Sequence, residues 1–114
     1  MLKVLTKQQI EQYHDEGFIS PIRVISEAKA LSIKSQLEEV ESQFPEEINA
    51  ESRNNLHLCF EFLDALAHNP IIVDAMEDLI GPDIALWATV MFIKESSSKH
   101  YVSWHQDATY MGMN

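Results

Sequence analysis

The chain has 114 residues, enough for one small domain with one core and too few for two. An apolar share of 46% and a charged share of 23% are ordinary for a globular protein and exclude a low-complexity chain. Eighteen acidic residues against eight basic ones give a net charge of −10, which repels nucleic acid and anionic lipid as partners. The single cysteine, Cys59, excludes an internal disulfide and fits a reducing compartment. No signal-peptide core opens the chain, and the longest apolar run, 84–93, is about half of the roughly 20 residues a spanning helix needs. A cytoplasmic location with no membrane partner is the expectation.

Thr6 and Gln9 form a capping box that predicts a first helix through Ile10 and Tyr13, closed by Gly17. Phe18 and Ile19 read as a brief extended segment before Pro21. Ser26 can cap a second helix, with Ala30, Ile33, Leu37, Val40 and Phe44 as its apolar stripe and Pro45 as its stop. Residues 46–55 are polar and predict a loop. A third helix is expected over 58–68, with Cys59, Phe62, Leu63 and Leu66 facing inward. Asn69-Pro70 caps a fourth, whose inner face carries Ile72, Ala75, Met76, Leu79 and Ile80, while Asp74, Glu77 and Asp78 face out. Gly81-Pro82 ends it. The run 84–93, rich in β-branched and aromatic residues, predicts a strand buried on both faces, and 101–105 a shorter one after the Ser96-Ser97-Ser98 turn. Trp87 and Trp104 are then expected in the core. Two strands alone would leave long apolar edges, so the chain reads as part of a longer protein.

Within Ser103-Trp104-His105-Gln106-Asp107 lies a His-x-Asp pair. On an extended backbone, residues two apart point to the same side about 7 Å apart along the strand, so imidazole and carboxylate can converge on one metal ion. Two histidines and one carboxylate on one face of an octahedron form the ligand set of non-haem iron(II) oxygenases, of which His105 and Asp107 would supply two; the alternative is a half-buried histidine salt-bridged to Asp107 near a strand end. A second histidine with an acid two residues on, His14 and Glu16, serves as a control. It falls on the first helix, where such positions diverge by about 200°.

The passage 92–110, above all Ser103-Trp104-His105-Gln106-Asp107-Ala108-Thr109-Tyr110, resembles the phytanoyl-CoA dioxygenase family. Similarity extends upstream through Leu79-Ile80-Gly81-Pro82 and to the opening residues 5–18, so it takes in nearly the whole chain. The resemblance implies an α+β fold: N-terminal helices over 1–82 packed on the first strands, 83–114, of a double-stranded β-helix (a jelly-roll, cupin-like barrel) truncated before closure. It implies an Fe(II)- and 2-oxoglutarate-dependent dioxygenase that uses dioxygen to hydroxylate a small organic molecule, with His105 and Asp107 binding iron. A carboxylate at 107 favours hydroxylation over halogenation, because related halogenases carry a small residue there.

By the same resemblance, Arg53, Val90 and Met91 are candidates for 2-oxoglutarate binding, and Thr109 and Tyr110, just past the ligand strand, for contact with cosubstrate or substrate; His57, beside Arg53, reads as a helix-start histidine and only secondarily as a ligand. The second histidine ligand and the basic residue that anchors 2-oxoglutarate belong to later strands of the family fold, beyond Asn114. These 114 residues alone are therefore expected to lack turnover. Ser96-Ser97-Ser98 stands where relatives commonly have Pro-Gly, and Met111 where they often have Trp, which bears on the substrate wall. Cys59 is read as packing. The alternative is a non-catalytic protein whose helical stripes and sheet edges bind a partner, and a third reading is a cupin-like iron protein without 2-oxoglutarate.

Overall fold

The computed structural model describes residues 1–48, 53–94 and 96–111. The helix signals act where they stand in the sequence. Thr6 Oγ1 accepts from the Gln9 amide at 3.2 Å and Gln9 Oε1 accepts from the Thr6 amide at 2.9 Å, opening α1 at Lys7–Glu16. Gly17 closes it at φ 81°, a left-handed conformation that costs glycine little. Ser26 Oγ accepts from the Lys29 amide at 3.2 Å to start α2, Glu27–Gln43, which ends before Pro45. Its stripe is only half-buried at Ile33, Leu37 and Val40, and exposed at Ala30 and Phe44.

The third helix forms later than its apolar spacing predicts. Asn55 adopts a left-handed φ of 56° and begins a 3-10 turn, Leu56–Leu58, before α3 at Glu61–Ala67. That tighter turn buries Leu56 and His57 and leaves Leu58 and Cys59 exposed, so Cys59 is not a packing residue. Helix α4, Pro70–Ile80, has Pro70 at its first position and Asn69 Oδ1 accepting from the Ile71 amide at 2.9 Å.

The core is small. Ile48, Leu56 and Leu63 are buried together against Val40, Phe60, Phe62 and Met91. Ile48 belongs to the segment expected as a polar loop over 46–55, of which 49–52 lie outside the described residues. A separate clamp joins the N-terminus to α4. The Asp78 carboxylate accepts from the amides of Val4 and Leu5 at 2.8 Å each and from that of Lys3, whose Nζ lies 3.0 Å from Asp74 and 2.6 Å from Glu77. The acids read as a solvent face thus hold the N-terminal segment. These bonds lower the Asp78 pKa, chiefly through the Leu5 and Val4 amides, and the Glu77 and Asp74 bonds raise that of Lys3.

The C-terminal third departs from expectation. Among the described residues there is no β-strand, only one antiparallel bridge between Asn54 and Val90, so no double-stranded β-helix is present and the α+β expectation fails. The described chain is helical: α1, α2 and α4 of ten residues or more, the short α3, and α5 at Ala108–Met111. Residues 84–94 run without a ladder: among the described residues, their backbone partners outside the local Ile84–Pro82 turn lie at 53–55. Nor are they buried on both faces. Trp87 is 84% exposed, Phe92 85%, and Trp104 fully, so neither tryptophan is core. The total accessible surface is 9596 Å², against about 6,400 Å² by mass scaling for a compact monomer of 13.1 kDa. The radius of gyration of 16.5 Å likewise exceeds the roughly 13 Å of a compact chain this long. Among the described residues, no helix is long and apolar enough to cross a membrane.

Candidate functional site

Residues 101–107 form no strand, yet the two side chains of the motif meet. The chain bends at Trp104 and turns at Asp107 into α5, and this brings His105 Nε2 to 3.2 Å from Asp107 Oδ1. His105 Nδ1 lies 2.8 Å from the Ser103 carbonyl oxygen. A carbonyl only accepts, so this contact places the proton on Nδ1 and directs Nε2 at the carboxylate. In a neutral ring both facing atoms then carry lone pairs, and a proton or a cation between them removes the repulsion. Two ligands at right angles, each about 2.1 Å from a metal, are separated by about 3.0 Å. The observed spacing is close to that bite. A backbone carbonyl on the distal nitrogen is also the usual way a metal-binding imidazole is oriented. The pair is exposed, and the described residues bring no third histidine, cysteine or carboxylate to it in a metal-binding group.

The control pair behaves as its helix dictates: His14 and Glu16 lie within α1, and His14 packs edge-on against Tyr13.

The other candidates gather elsewhere. Arg53 Nη2 lies 3.0 Å from Glu41 Oε1, both side chains largely buried, and the Arg53 carbonyl accepts from the Met91 amide at 3.2 Å. This ion pair is electrostatic rather than a well-aligned hydrogen bond, and Arg53 Nε is buried with no partner among the described residues. Next to it, Asn55 grips Thr89 twice, its amide donating to the Thr89 carbonyl at 2.7 Å and its Oδ1 accepting from the Thr89 amide at 3.1 Å. Thr89 Oγ1 in turn meets His57 Nδ1 at 2.7 Å. Val90, Met91, His57 and Thr89 line one cavity of about 330 Å³ whose remaining walls are apolar. That lining suits an apolar molecule better than the dicarboxylate implied for Val90 and Met91. Neither Arg53, His105 nor Asp107 is part of it. Thr109 is exposed on α5, its amide donating to the Gln106 carbonyl at 3.2 Å, while the side chains of Tyr110 and Met111 lie outside the described residues.

No family model matches the chain, and no curated protein or solved structure matches it. The Asn55–Thr89–His57 arrangement was missed by sequence reasoning. One signal for it existed, since Thr89 is the single polar residue within 84–93. A lone hydroxyl in an apolar run implies a partner.

Proposed function

We propose that the chain contributes two protein ligands, His105 and Asp107, to an iron(II) site of a 2-oxoglutarate-dependent dioxygenase acting on a small organic substrate. One observation carries this reading: a 3.2 Å approach of Nε2 to Oδ1, with the far nitrogen of the ring held by a backbone carbonyl. Bound iron would supply the oxidising chemistry, activating dioxygen with 2-oxoglutarate as cosubstrate. The protein's part is orientation. Ser103 fixes the imidazole tautomer, and the turn into α5 sets the carboxylate beside it. Arg53, which already holds the Glu41 carboxylate and whose buried Nε has no partner among the described residues, has the chemistry to hold a 2-oxoglutarate carboxylate by exchanging Glu41 for it. Thr109, on α5 two residues after Asp107, would be a contact near the metal. The third iron ligand would come from outside these 114 residues. A reducing, cytoplasmic setting fits ferrous iron and the lone Cys59.

Titration with Mn(II), which broadens nuclear resonances near its site, tests the ligand assignment on residues 1–114. Broadening should centre on 103–109 and vanish in both His105→Ala and Asp107→Ala. Broadening centred instead on Asp74, Glu77 and Asp78, or unchanged by either substitution, would overturn it. Iron-dependent succinate release from 2-oxoglutarate is expected to be absent from residues 1–114, since two ligands hold iron weakly.

A second reading, a non-catalytic binding protein, is favoured by the exposed apolar side chains of Trp87, Phe92, Tyr101 and Trp104. It predicts no Mn(II) site at 103–109.

A further inference from the structure

We infer that the cavity between α3, α4 and residues 86–91 is a binding site for a small, uncharged, mainly apolar molecule bearing one hydrogen-bonding oxygen, with His57 as the group that recognises that oxygen. The walls are Leu56, Leu63, Leu66, Ile72, Leu86 and Met91, with His57 and Thr89 as the polar lining residues. The volume of about 330 Å³ lies within the range of small-molecule sites. It is roughly twice that of a ~150 Å³ cavity that takes one benzene, so about twelve non-hydrogen atoms fill it.

The polar end is built rather than incidental. His57 is only 9% exposed, and its Nδ1 is taken by Thr89 Oγ1. Nε2 shows no hydrogen bond among the described residues, is not one of the fully buried unsatisfied atoms, and belongs to a ring that lines the cavity, so it is open to an occupant there. A nearly buried imidazole with one nitrogen bonded and the other unpaired requires either water or a ligand atom. Asn55 holds Thr89 through both its amide and its carbonyl, and Thr89 fixes the ring, so the recognising atom is oriented before any ligand arrives. When the Thr89 hydroxyl donates to Nδ1, Nε2–H donates to a carbonyl or hydroxyl oxygen; with the opposite tautomer, Nε2 accepts from a hydroxyl. A hydroxyl on the ligand satisfies both. A charged ligand fits poorly: the lining carries no Lys or Arg to pair an anion and no carboxylate to pair a cation. The inference needs no metal and is independent of the His105–Asp107 pair.

The test uses 1-naphthol and its near-isostere 1-methylnaphthalene on the metal-free full chain, with amide shift changes by nuclear magnetic resonance and dissociation constants by calorimetry. Both probes should shift residues around 56–67 and 86–91, and naphthol should bind about two- to tenfold tighter, the worth of one net hydrogen bond. His57→Leu should abolish that preference while retaining binding of the methyl compound. Filling the cavity by Ala67→Leu should weaken both probes more than about tenfold, and Val90→Phe, on the more exposed wall, provides the same test should the first variant fold poorly. Equal affinity for the two probes, no loss on filling, or shifts confined to Trp87, Phe92 and Trp104 would each overturn the inference. Failure of the Mn(II) titration leaves this result unaffected, and the converse holds too.

Discussion

The His57–Thr89 contact should report as a coupled pair. Thr89→Val keeps the shape of the side chain and removes the hydroxyl that stands 2.7 Å from Nδ1. The imidazole is almost fully buried, so its Nδ1 loses a partner that water replaces poorly. Leaving a buried polar atom unsatisfied costs about 1–3 kcal/mol, more than the roughly 1 kcal/mol that the bond contributes net. His57→Leu removes the other partner, leaving the smaller problem of a lone Thr89 hydroxyl. With both replaced, no polar atom is stranded and apolar walls surround the pair, so the double variant should be no less stable than Thr89→Val alone. The coupling energy by urea unfolding should be about 1–2 kcal/mol, well above the few tenths typical of independent sites. Circular dichroism on the wild type, two single variants and the double variant supplies it. Additive costs would refute the reasoning, since they would mean that the two side chains do not sense one another.

Leu63→Ala, within the buried Ile48–Leu56–Leu63 cluster, should cost about 2–5 kcal/mol, whereas Leu58→Ala, at a residue 77% exposed, should fall within about 0.5 kcal/mol of wild type; urea melts decide between them. Thr6→Ala should cost about 1 kcal/mol by removing the capping box of α1. Asp78 titrates below its ordinary 3.8 in the folded chain, so its contribution is present above that pH and lost as pH falls through the lowered value. Lys3 titrates above 10.5, so its contribution is present below 10.5 and lost as pH rises past it. Acid titration of Asp78→Asn should therefore show a shallower loss of stability below 3.8 than wild type, with unchanged slopes counting against the clamp. Trp87 and Trp104 should emit at the red-shifted limit of hydrated indole and be fully open to acrylamide, and a blue-shifted, protected spectrum would contradict their exposure.

What the sequence made legible is local. Thr6, Gly17, Ser26 and Asn69 specify helix ends through hydrogen bonds to atoms two to four residues away, and Pro70 does so through its fixed φ at the first helical position. Where a non-local partner intervenes, the pattern misleads. Leu58 and Cys59 carry the spacing of a helix face, but Asn55 is held by Thr89 across 34 residues, and the resulting 3-10 turn points both outward. Asp74, Glu77 and Asp78 read as a solvated face by charge alone. Only the fold shows that the amides of residues 3–5 need acceptors there.

The run 84–93 shows the same limit at larger scale. Its β-branched and aromatic content states a preference for extended backbone, yet a strand exists only where a second extended segment pairs with it. Residues 53–55 offer that pairing for one bridge's length, and the apolar side chains beyond it stay in water. A surface that covered Trp87 and Phe92 would bury apolar area, and a second extended segment would be needed to complete the backbone hydrogen bonds as well. The His105–Asp107 contact has local determinants. Its geometry rests on a bend at Trp104, a bond to the Ser103 carbonyl and the turn into α5, all within about one helical turn of sequence. A motif this local can bring its two side chains together while the strand expected to carry them is absent, which is why the pair and not the predicted sheet bears the weight of the proposed function.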